Sequence, residues 1–83
     1  MVDRNLKIVE FLKKKWIDNI KNNSEFAKNH NIDEKTVRLI KENKDYHTSL
    51  ETIESICEAE NLNLSQFFKE VEEMFPEVRM DHQ

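Results

Sequence analysis

No glycine occurs anywhere in the 83 residues, and proline occurs once. Glycine ordinarily supplies the left-handed backbone of helix ends and tight hairpins, and the close approach needed in phosphate-cradling loops. A collagen-like chain, a Gly/Ser linker and a glycine-cradled phosphate site are therefore excluded, and β-rich folds with tight hairpins are disfavoured. What remains is a compact helical protein whose turns use other residues. At this length the chain forms one domain with a small core, or a domain plus a short dimerising element.

Charge is unevenly distributed. The formal total is −4. Residues 1–50 carry 11 basic and 8 acidic side chains, a net of +3, and residues 51–83 carry 2 basic and 9 acidic, a net of −7. An acidic total argues weakly against a nucleic-acid partner, but a footprint depends on local distribution. Only the first half could supply one. The single cysteine, Cys57, cannot form an intrachain disulfide, and no metal-ligand spacing is present, so neither a metal nor a cofactor is expected. No apolar run approaches the roughly 20 residues that cross a bilayer. The first 16 residues, MVDRNLKIVEFLKKKW, lack the small-residue cleavage region of a signal peptide. These features predict a cytoplasmic protein with no membrane partner.

Helical periodicity predicts five helices. The first spans about Asn5 to Ile20, with Ile8, Val9, Leu12, Trp16 and Ile20 on one face and Lys13–Lys15 reading as a solvated one. The second covers Asn23 to His30, capped by Asn22 or Asn23, with Phe26 and Ala27 inward. Asp33 caps a third, Glu34 to Glu42, which buries Val37 and Ile40. After a polar loop, Ser49 caps a fourth with a stripe of Leu50, Ile53, Ile56, Cys57 and Ala59. Ser65 caps a fifth, Gln66 to Phe75, which Pro76 stops. Residues 1–76 thus form one helical domain, and the acidic tail 77–83 is expected to fray. Val71, Met74 and Phe75 extend the fifth stripe beyond what so small a bundle buries. They read as a dimerisation surface or as a longer core against Trp16 and Leu12.

Catalysis needs convergent groups with matched roles, and no Ser–His–Asp or Cys–His arrangement is visible. Cys57 among Ile53, Ile56 and Ala59 reads as core. Binding is the more informative direction. Two short helices across a three- or four-residue turn, Asn23 to Glu42, have the dimensions of a helix-turn-helix. The pattern Phe26-Ala27, four polar residues, Ile32-Asp33, then Val37-x-x-Ile40 closely resembles the repressor/Cro-like, or Xre-type, helix-turn-helix family. The resemblance continues through Ser49-Leu50-Glu51-Thr52-Ile53, Ile56-Cys57-x-Ala59 and Asn61-Leu62-Asn63-Leu64-Ser65-Gln66-Phe67-Phe68, so it covers residues 22–68.

That resemblance implies an all-α, five-helix repressor-like helix-turn-helix domain, here with an extended first helix and an extended C-terminal helix. It implies a transcriptional regulator that binds double-stranded DNA as a homodimer on a palindromic operator. The third helix would enter the major groove and the start of the second would meet a phosphate. By position, Glu34, Lys35, Arg38 and Leu39 would face base edges, while Asn23, Lys41, Asn43 and Lys44 would lie along the DNA backbone. Arg38 could make a bidentate contact to guanine, Glu34 could accept from cytosine, and Leu39 could touch a thymine methyl. The family often pairs an acidic residue near position 41 with a basic one on the first helix; Lys41 and Glu10 could make that pair with reversed signs. Its usual turn glycines are replaced by Asn31, Asn43 and Asn61, predicting positive φ at all three, since asparagine tolerates left-handed backbone. The competing reading is a protein-interaction module on the same fold, antitoxin-like or regulator-binding, favoured by the acidic balance and Glu34.

Overall fold

The computed structural model describes residues 3–42 and 45–78. Five α-helices follow one another: α1 (Arg4–Lys15), α2 (Asn23–Asn29), α3 (Glu34–Glu42), α4 (Leu50–Ala59) and α5 (Leu64–Met74). A 3₁₀ turn, Ile17–Asn19, extends α1, and another, Pro76–Val78, follows α5.

Asp3 opens α1 by accepting the Leu6 N–H at 3.2 Å. The three lysines of its last turn oppose the carbonyl end of the helix dipole. The helix does not run to Ile20 as the spacing predicted. It breaks at Trp16, and the tighter 3₁₀ turn brings Ile17 to complete burial. Lys13 spans the break with a 2.8 Å bond to Asp18.

α2 and α4 end alike. In each, the residue after the cap takes positive φ, Asn31 at 56° and Asn61 at 58°. Asn31 N–H reaches back to the Lys28 carbonyl (3.3 Å) and Ile32 N–H to Ala27 (2.9 Å). Asn61 and Leu62 repeat the pattern on Glu58 (3.1 Å) and Cys57 (2.9 Å). Both are Schellman motifs with asparagine where glycine is usual, so two of the three asparagine turns form as predicted. Asn43 lies outside the described residues. A left-handed residue that the sequence did not signal is Asp45, at 58°.

The helix starts are mostly as expected. Asn22 caps α2 through Glu25 N–H, Asp33 accepts from Lys35 N–H, and Ser49 caps α4 through Thr52 N–H. At α5 the cap is Asn63, not Ser65: its carboxamide accepts Gln66 N–H at 2.8 Å, while the Ser65 hydroxyl donates to that same oxygen. The loop before α4 is fastened to α1 by Asn5, which pairs with the backbone of buried Thr48 through both a donated (2.9 Å) and an accepted (2.7 Å) bond.

Val9, Leu12, Ile17, Val37, Ile40, Ile56 and Phe67 form the fully buried centre. Phe67 anchors an aromatic group: Phe11 meets it edge-on at 5.3 Å and Trp16 stacks on it at 6.3 Å. Two members of the expected α4 stripe are outside the core. Leu50 is 56% exposed in the first turn. Ala59 is exposed because it lies about 120° around the helix from Ile53.

The leftover stripe on α5 is also revised. Val71 is 1% exposed and Phe75 is 9% exposed, so the same chain already covers them. Lys7 and Lys14 lie over the Phe75 ring, with their ammonium groups 5.1 and 5.9 Å from its centroid. Of the three residues expected at a dimer surface, Met74 alone is open, at 43%. Of the tail expected to fray, residues 77 and 78 are instead held in the second 3₁₀ turn, where Val78 is buried, and 79–83 lie outside the described residues. Among the described residues no helix is long and apolar enough to cross a membrane.

Candidate nucleic-acid interface

α3 presents its outer face because Val37 and Ile40 hold the inner one against the core. Glu34, Lys35, Arg38 and Lys41 are exposed, and Leu39 is half-buried. The four residues expected to face bases therefore share one accessible side of a helix, with Leu39 at its edge. Asn43 and Lys44 lie outside the described residues.

Asn23, in the first turn of α2, and Lys41, in the last turn of α3, come together: Lys41 Nζ donates to Asn23 Oδ1 at 3.5 Å. These are two of the residues expected along a DNA backbone, from opposite ends of the two-helix unit. The reversed pair Glu10–Lys41 is not made. Glu10 instead bridges Lys7 and Lys14 on its own helix, at 3.7 and 3.4 Å. An i,i+3 and i,i+4 neighbour on one surface outcompetes a residue on a separate helix.

The electrostatics divide the molecule. Every lysine of α1 has a carboxylate partner: Lys7 with Glu10 and Glu77, Lys13 with Asp18, Lys14 with Glu10, and Lys15 with Glu70. Among the described residues, Arg4, Lys21, Lys28, Lys35, Arg38, Lys41 and Lys69 have no carboxylate within 4 Å. Five of these seven fall between positions 21 and 41. Lys21 and Lys28 escaped the sequence reading because they lie outside α3. Asp33, Glu34 and Glu42 are exposed in the same unit, so its surface is mixed rather than uniformly basic.

The pKa shifts follow the partition. The hydrogen bond from Lys15, followed by that from Gln66, holds the Glu70 carboxyl below its ordinary range. The His47 hydrogen bond does the same for Asp3. Burial, then the nearby Glu70 charge, pushes the Cys57 thiol up to about 11, so it stays protonated at neutral pH as a core residue. No family model, curated protein or solved structure matches the chain.

Proposed function

We propose that this chain is a sequence-specific, double-stranded DNA-binding transcriptional regulator of the cytoplasm, built on a repressor-like helix-turn-helix and without catalytic activity. α3 enters the major groove; Arg38 and Lys35 contact base edges, Glu34 accepts from an amino group, and Leu39 meets a thymine methyl. Asn23 and Lys41 act as a pair on a phosphate. The observation that carries this reading is the charge partition: among the described residues, the cations between positions 21 and 41 have no carboxylate partner, while the four lysines of α1 are each paired. Unpaired cations are the ones that release counterions on binding DNA. With few such groups per chain, a homodimer on a palindrome doubles the contacts and sets half-site spacing.

A second reading has its own support. Exposed Glu34 and Glu42 repel phosphate, as a surface for a protein partner would be free to do. Selection from random duplex pools, at low and moderate salt, separates the two. The DNA reading expects an enriched palindrome whose binding collapses in Arg38→Ala. Salt-fragile binding shared equally by parent and variant, or no binding, contradicts it.

A further inference from the structure

Where α1 meets the last part of the chain, opposite charges pair: Lys15 with Glu70 of α5, and Lys7 with Glu77 of the second 3₁₀ turn. One cleft on this seam departs from that pattern. It has a volume of about 480 Å³ and is lined by buried Val71 and Val78 and half-buried Ile8 and Phe68. Arg4 and Glu72 line it too, but they do not pair with each other. Among the described residues neither has an opposite charge within 4 Å. The remaining polar side chain, Asn5, is committed to the Thr48 backbone through both ends of its carboxamide.

An open apolar cleft of this kind marks a contact surface. The two charges restrict what fits it. A ligand of one sign satisfies Arg4 or Glu72 and is repelled by the other, so the occupant carries both signs beside an apolar surface. A second copy of the same face meets that requirement. Two-fold association is isologous: residue i of one protomer meets residue j of its partner, and j meets i. Arg4 of each protomer then faces the partner's Glu72, and the Ile8 and Phe68 side chains of each cover the other's cleft.

We propose that two copies of this chain associate through the cleft between α1 and α5, with Arg4 and Glu72 pairing reciprocally across a two-fold axis. The proposal rests on the homodimer part of the functional reading and gives it a surface; it does not depend on DNA binding. This surface is not the stripe that the sequence singled out. Met74, the open member of that stripe, lies about 200° around α5 from Glu72.

Sedimentation equilibrium of the full chain tests it. The parent should be dimeric at micromolar concentration. Arg4→Glu and Glu72→Arg each set like charges against one another twice per dimer, so each should raise the dimer Kd at least about tenfold. Arg4 is exposed and Glu72 half-buried, so both variants should keep the helical circular dichroism of the parent. The double variant Arg4→Glu, Glu72→Arg restores the pairing with its signs exchanged and should return the Kd to near the parent value. Met74→Glu, on the other side of α5, should leave it unchanged. A parent that stays monomeric at high micromolar concentration overturns the proposal together with the homodimer. A dimer that survives both single reversals, or one that the double variant does not restore, overturns this interface and leaves the homodimer standing.

Discussion

The α1–α5 half and the α2–α3 unit are held by different forces. α1 and α5 meet through large aromatics, with Phe67 between Phe11 and Trp16, and their charges cancel across the seam at Lys15–Glu70. The α2–α3 unit contributes fewer and smaller buried groups, Phe26, Ala27, Val37 and Ile40. Among the described residues it carries most of the cations that lack a carboxylate partner. The net charge of −4 therefore says little about either region. Surface ion pairs contribute at most about 1 kcal/mol each. The chief consequence of the α1 pairs is to neutralise one side of the molecule while leaving another charged.

The largest expected effect belongs to the aromatic seam. Phe67→Ala should cost about 3–5 kcal/mol in chemical denaturation, because the ring is fully buried and cannot be replaced without a cavity. A loss below about 1 kcal/mol would show that the seam does not dominate the fold. Turn chemistry comes next. Asn31→Ala should cost about 1–2 kcal/mol, whereas Asn31→Gly should be tolerated, because alanine keeps the β-carbon but loses the polar side chain that lets asparagine take left-handed backbone, and glycine has no β-carbon to accommodate. Equal costs for the two would break the link between asparagine and turn geometry.

Those asparagine turns were legible in the sequence because positive φ narrows the choice of residue so severely. The inward faces of α2 and α3 were legible from periodicity. Three features were not. Asn63 and Ser65 are both competent caps, and composition does not rank them two positions apart. The break at Trp16 depends on where Ile17 finds a hole, which is a tertiary fact. The coverage of Val71 and Phe75 was hidden because the lysines over Phe75 lie more than sixty residues away in sequence. A stripe shows how wide an apolar face is, not what meets it. At the candidate site, the exposed face of α3 was legible, but the pairing of Asn23 with Lys41 and that of the α1 lysines with carboxylates needed coordinates.

Smaller effects sharpen the contrast. Lys15→Ala should cost less than about 1 kcal/mol and release the Glu70 carboxyl toward its ordinary value. Since that carboxyl is depressed in the folded chain, its stabilising contribution is present above the ordinary carboxylate range and fades as pH falls through its lowered value. An acid-side stability profile compared between parent and Lys15→Ala should show it; identical profiles would contradict the pair's role. The slightest effect is at the exposed Asp3–His47 contact, where His47→Gln should raise the Asp3 carboxyl titration measured by NMR. An unmoved titration would remove that contact from the account.

The charge partition is tested most directly by the salt dependence of binding to a duplex recovered from the selection. Lys41→Gln should lower the magnitude of the log–log salt slope by about 1 per chain, and Lys14→Gln should leave it unchanged. Equal reductions by both substitutions, or a change with Lys14→Gln alone, would contradict the account.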